Sequence, residues 1–109
     1  MLKQGTDINI KIDDITINYN DLGEGKLPII FIHGFPFDKS SWQPQLDYLQ
    51  QYDRIITYDL RGYGKSTLNQ EKISITMLAD DLIKFMDALQ IQKAIVCGLS
   101  MGGYILLNA

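Results

Sequence analysis

One cysteine, one histidine and no basic stripe are what this 109-residue sequence has to offer at three kinds of site. Cys97 alone cannot form an internal disulfide. No Cys or His stands near it at metal-ligand spacing, so a disulfide scaffold and a structural zinc site are both excluded. With 10 Lys+Arg against 13 Asp+Glu the formal net charge is −3, and nothing is laid out to follow a phosphate backbone. Nucleic acid is therefore not an expected partner. The opening "MLKQGTDINI" lacks the apolar stretch of a signal peptide, and no apolar run approaches the roughly 20 residues needed to span a bilayer. A cytoplasmic location with no membrane partner is the expectation. The phosphate-loop pattern G-x-x-x-x-G-K-[ST] is missing, as are repeats, low-complexity tracts and linkers.

What is present is an ordinary globular composition, 46% hydrophobic and 21% charged, with length for one modest core. The stretch "INIKIDDITINYN" alternates apolar and polar residues through Ile8, Ile10 and Ile12, then through Ile15, Ile17 and Tyr19. That period of two, interrupted at Asp13–Asp14, predicts a β-hairpin with one buried face. Three continuous apolar runs follow, "LPIIFIHG", "RIITYD" and "KAIVCG", and they suit strands of a parallel sheet covered on both sides. Cys97 lies in the last of them and reads as a small buried hydrophobe.

Helical periodicity separates these runs. In "SSWQPQLDYLQQ" Trp42, Leu46 and Leu49 share a face, and Pro44 fits only a first turn. In "SITMLADDLIKFMDALQ" Ile75, Leu78, Leu82, Phe85, Met86 and Leu89 form one apolar stripe behind a Ser74 N-cap, a pattern of core packing. Asp80 and Asp81 lie toward the start of that helix, the end that favours negative charge. A last helix begins near Ser100. The predicted order is β-β-β-α-β-α-β-α, an antiparallel hairpin entering a doubly wound, mostly parallel α/β sheet. Ligands of such sheets bind beyond the carboxyl ends of the strands, which directs attention to three loops: "HGFPFD", "DLRGYGKS" and "GLSMGG".

"GLSMG", Gly98 to Gly102, is a G-x-S-x-G match between a predicted strand and a predicted helix. In that setting Gly98 and Gly102 relieve crowding at a sharp turn, Ser100 is held with its hydroxyl exposed, and the helix aims N-terminal amides at the reacting atoms. In "FIHGFP" the backbone N–H of Phe35 can face the same space as that of Met101, providing two donors for an oxyanion. Phe35 and Phe37 either border an apolar pocket or pack as ordinary loop residues. His33 precedes Gly34 at a strand end, a place where local hydrogen bonds would hold its ring. It is expected to orient the Phe35 loop rather than act as a base for Ser100. Asp59 and Arg61 are expected to brace their own loop as a pair.

Together "HGFPFDKSSW", "YDLRGYGKS" and "GLSMGGY" resemble the α/β-hydrolase fold superfamily, most closely its small esterases, enol-lactonases, cofactor-free perhydrolases and C–C bond hydrolases. The resemblance covers nearly the whole chain. It implies Ser100 as nucleophile, the Phe35 and Met101 amides as the oxyanion hole, a small ester-like substrate, and no metal or organic cofactor. Members that open epoxides or remove halogens carry Asp at the nucleophile position, and Ser100 departs from them. In this fold the triad acid and histidine follow the nucleophile along the chain. Only nine residues follow Ser100, with no acid and no histidine among them. Residues 1–109 therefore read as an incomplete domain, the N-terminal half of a serine hydrolase whose later strands, helices and triad partners lie elsewhere. This chain alone is then expected to be inactive. Its last strand, "KAIVC", should form an open sheet edge that takes either the missing half or another copy. The alternatives are a non-catalytic binding or self-associating module, or a perhydrolase or C–C bond hydrolase of the same fold.

Overall fold

The computed structural model describes residues 4–68 and 72–109. Strands β1 (Gly5–Ile12) and β2 (Ile15–Leu22) form the expected hairpin, turning at Asp13–Asp14. Asp13 takes positive φ, 52°, which a short polar side chain tolerates in a tight turn. Strands β3 (Ile29–Ile32), β4 (Ile55–Tyr58) and β5 (Ile95–Gly98) are the three apolar runs. The sheet order is β1-β2-β4-β3-β5, with β3 parallel to both β4 and β5 and β2 antiparallel to β4.

The connections wind both ways from β3, and this places helices on both faces. After β3 the chain passes through a 3₁₀ turn (Lys39–Trp42) and helix α1 (Gln43–Leu49) to reach β4 on one side. It then crosses through α2 (Ile75–Ala88) to β5 on the other side, and α3 (Met101–Asn108) follows. Strand side chains alternate in direction, so the two faces divide the apolar residues. Ile30, Ile32, Ile56 and Tyr58 join Leu78, Leu82, Phe85 and Ile105 in the larger core, while Phe31 and Ile55 meet Leu46 beneath α1. Pro44 stands in the first turn of α1, the position where a missing N–H costs nothing.

Helix α2 is capped as expected: the Ser74 side chain accepts the Met77 N–H at 3.1 Å. Its inner face also buries a charge. Asp81 is 2% exposed and takes Nε and Nη2 of Arg61 at 3.0 and 2.9 Å. The pairing expected between Asp59 and Arg61 is thus replaced by two long-range pairs, Arg61 with Asp81 and Asp59 with Lys39. A local spacing of two residues gave no hint of either, because both partners come from other elements.

Strand β5 also departs from a fully covered strand. Ile95 is 47% exposed and Cys97 half-buried, for β5 pairs with β3 on one side and lies at the sheet edge on the other. Among the described residues no helix is long and apolar enough to cross a membrane.

Candidate active site

Three strands end side by side, and the loops after β3, β4 and β5 gather over their carboxyl ends. Ser100 occupies the turn between β5 and α3 with φ 54° and ψ −109°, a backbone state that L-residues rarely adopt. Its side chain is exposed, and Oγ has no hydrogen-bond partner among the described residues. The turn is this tight because its neighbours have no side chains to obstruct it. A Cβ on Gly98 would sit 2.3 Å from the Gly102 carbonyl, and one on Gly102 would sit 2.4 Å from the Ile32 carbonyl oxygen. The glycines of "GLSMG" therefore let helix α3 press against both β5 and β3.

Gly34 brings the second loop to the same point. A Cβ there would fall 2.8 Å from the Leu99 carbonyl oxygen and 3.4 Å from Ser100 Cβ. The loop then turns back through a Phe37 N–H to Gly34 carbonyl bond of 2.8 Å. Between these anchors the Phe35 N–H donates to no acceptor among the described residues, and the same holds for the Met101 N–H. Met101 opens α3, where the first amides lack intrahelical partners and the helix dipole favours negative charge. Two uncommitted amides thus flank a strained serine. The Phe35 and Phe37 side chains are 66% and 53% exposed, at the rim of this site.

His33 is completely buried behind the loop. Its Nε2 accepts the Leu60 N–H at 3.0 Å, which puts the ring proton on Nδ1, 3.1 Å from the Gly34 carbonyl oxygen. Burial holds its pKa below the ordinary 6.5, against smaller opposing effects from the Gly34 carbonyl and the Asp59 charge. Both nitrogens are engaged by backbone, so the ring orients the loop and has none left for Ser100.

Sequence reasoning passed over two features here. Tyr63 meets both the His33 ring and the Phe35 ring edge to face, at centroid distances of 5.4 and 6.3 Å. Asp59, 1% exposed, accepts the backbone N–H of Lys39 at 2.8 Å and of Lys65 at 3.0 Å. The available signal for Asp59 was the "GYG" that follows it, since a Cβ on Gly64 would lie 2.4 Å from its carboxyl carbon.

The family model for the alpha/beta hydrolase fold matches residues 28–109. This chain belongs to that family. It is 38% identical over 91 residues to 3-oxoadipate enol-lactonase 2 of Acinetobacter baylyi, covering 83% of this chain and 34% of that protein. It is 34% identical over 93 residues to the bifunctional esterase/perhydrolase DCH of Acinetobacter calcoaceticus, covering 84% and 34%. Among solved structures, a thermophilic esterase from Thermogutta terrifontis superposes with a TM-score of 0.84 at 34% identity, over 93% of this chain and 39% of that one. The chain thus spans about a third of the length of the relatives it matches.

Proposed function

We propose that Ser100 is the nucleophile of a hydrolase that cleaves a carboxylic ester or related acyl bond, with the Phe35 and Met101 amides as oxyanion donors. The observation that carries this reading is the strained Ser100 turn, φ 54°, with two uncommitted N–H groups beside it. Ser100 Oγ attacks the acyl carbon, the carbonyl oxygen takes the negative charge, and the two amides stabilise it. The bond to the alcohol then breaks and the alcohol leaves with a proton. Water attacks the acyl-enzyme in a second step, releasing the acid and restoring Ser100. The named activities of the relatives, an enol-lactonase and an esterase/perhydrolase, support acyl-bond chemistry of this kind.

The base and the acid of the triad come, in this proposal, from residues outside these 109. His33 is committed to the backbone, and residues 101–109 hold no acid or histidine. Without a base a serine hydroxyl is a weak nucleophile at neutral pH, so these residues alone are expected to be inactive. A second reading, a non-catalytic self-associating module, draws support from the exposed edge at β5. Intact mass before and after a fluorophosphonate ester separates the two. One adduct on Ser100, lost in a Ser100→Ala variant, is expected of the hydrolase; no adduct on the full-length polypeptide would end that reading.

A further inference from the structure

The loop that carries the Phe35 N–H is pinned at both ends by two consecutive residues. At its start the His33 ring takes the Leu60 N–H, and at its end the Lys39 N–H enters Asp59 Oδ1 at 2.8 Å. Asp59 and Leu60 therefore set where the loop begins and where it stops. Asp59 itself is held on every side. Its N–H donates to the Asn18 carbonyl at 2.9 Å, and its carbonyl accepts from Ser66 Oγ at 2.6 Å. Oδ2 takes the Lys65 N–H at 3.0 Å and lies 3.4 Å from Lys39 Nζ.

Lys39 extends this hold to the far side of the sheet. The Lys39 side chain, 10% exposed, bridges Asp59 to Asp7, with Nζ 2.9 Å from Asp7 Oδ1. Asp7 lies where β1 loses its regular register with β2, with φ 51°, and its N–H donates to Asn20 Oδ1 at 2.9 Å. That bulge turns the carboxylate toward Lys39 and also toward Lys65, 3.1 Å away. A buried carboxylate is stable only when donors satisfy it, and charge-assisted bonds are the strongest available. The hairpin, the loop after β4 and the start of the 3₁₀ turn thus converge on one buried group, with Gly64 leaving the space that group occupies.

We infer that Asp59, assisted by Lys39 and Asp7, is a positioning residue that fixes the Phe35 amide relative to Ser100. The inference rests on the proposed role of that amide as an oxyanion donor. An oxyanion donor acts only when it sits at hydrogen-bond distance from the charge that develops, and a displacement of about 1 Å can cost about 100-fold in rate. Ground-state binding of a small ester depends far less on that amide, so the turnover number should fall while KM stays.

The test uses the full-length polypeptide with p-nitrophenyl acetate as substrate. Asp59→Asn keeps the shape but turns an acceptor into a donor facing the Lys65 N–H and Lys39 Nζ. It should lower kcat by about 10- to 100-fold, leave KM within about twofold, and slow fluorophosphonate labelling of Ser100 by the same factor as kcat. Lys39→Met keeps the stem and the backbone bond to Asp59, and should lower kcat by a smaller factor in the same direction. Lys39→Arg should retain activity. If Asp59→Asn fails to fold, Lys39→Met with its Arg counterpart decides. A kcat within twofold of the parent in a folded Asp59→Asn, or in Lys39→Met where the former does not fold, overturns the positioning role. Hydrolysis and labelling that survive Ser100→Ala would instead overturn the nucleophile assignment, and the positioning role with it.

Discussion

At the scale of single residues, the proposed nucleophile Ser100 is held in place at a cost in stability. A non-glycine residue at φ 54°, ψ −109° stores about 1–3 kcal/mol of backbone strain. Glycine relieves that strain, so Ser100→Gly should raise the urea midpoint of the full-length protein by the equivalent of about 1 kcal/mol while abolishing labelling. Ser100→Ala keeps the Cβ and the strain, and should abolish labelling without that gain. Equal midpoints for the two variants would show that the turn is unstrained. His33 gives a second test, in pH. Burial lowers its pKa in the folded state below the ordinary 6.5, so the unfolded chain binds the proton first as pH falls. The ring's contribution to stability is therefore complete above about pH 6.5 and declines as pH drops toward the lower folded-state value. Urea midpoints measured across that window should fall more steeply for the parent than for His33→Gln. Parallel curves would mean that the ring is not held neutral by burial.

At the scale of elements, the legible parts were those governed by a local pattern. The hairpin from Ile8 to Tyr19 repeats every two residues, the α2 stripe from Leu78 to Leu89 every three to four, and the three apolar strands are unbroken runs; each forms where the pattern predicts. The tight turn at Ser100 was legible for a related reason, since Gly98, Ser100 and Gly102 are close in sequence. Long-range polar pairing was not. Helical spacing puts Asp81, three residues after Leu78 and four before Phe85, on the buried stripe and leaves Asp80 exposed, but nothing local marks Arg61 as the partner of Asp81. Arg61 approaches from the loop after β4, so the pair exists only once α2 has docked. Desolvation raises the Asp81 pKa in spite of Arg61, which marks the burial of this pair as costly. Removing Arg61 should then be worse than removing both. Arg61→Met, which takes the guanidinium from the buried Asp81 carboxylate, is expected to cost about 3–5 kcal/mol, and Arg61→Met with Asp81→Leu distinctly less. A double variant as destabilised as the sum of the singles would show the two residues to be energetically independent.

At the scale of the whole molecule, these 109 residues carry two apolar surfaces that meet where α3 packs against β5. Strand β5 offers its outer edge, with Ile95 47% exposed, and α3 presents Tyr104 and Leu107 at 64% and 82% exposure. An uncovered strand edge beside apolar side chains is a template for a further strand. In relatives about three times as long there is chain enough to cover both surfaces. A polypeptide of residues 1–109 alone has only other copies with which to cover them, and it should self-associate across the micromolar range. Sedimentation velocity reads this directly, as a sedimentation coefficient that rises with concentration. Ile95→Lys places a charge on the edge, where a second strand would have to bury it, and should shift the distribution toward the monomer. The same substitution leaves the Ser100 turn and the Phe35 loop untouched, since Ile95 lies at the opposite end of β5 from Gly98. Association that is unchanged by Ile95→Lys but abolished by Leu107→Lys would move the interface from the strand edge to the face of α3. A monomer at every concentration would mean that neither surface drives assembly.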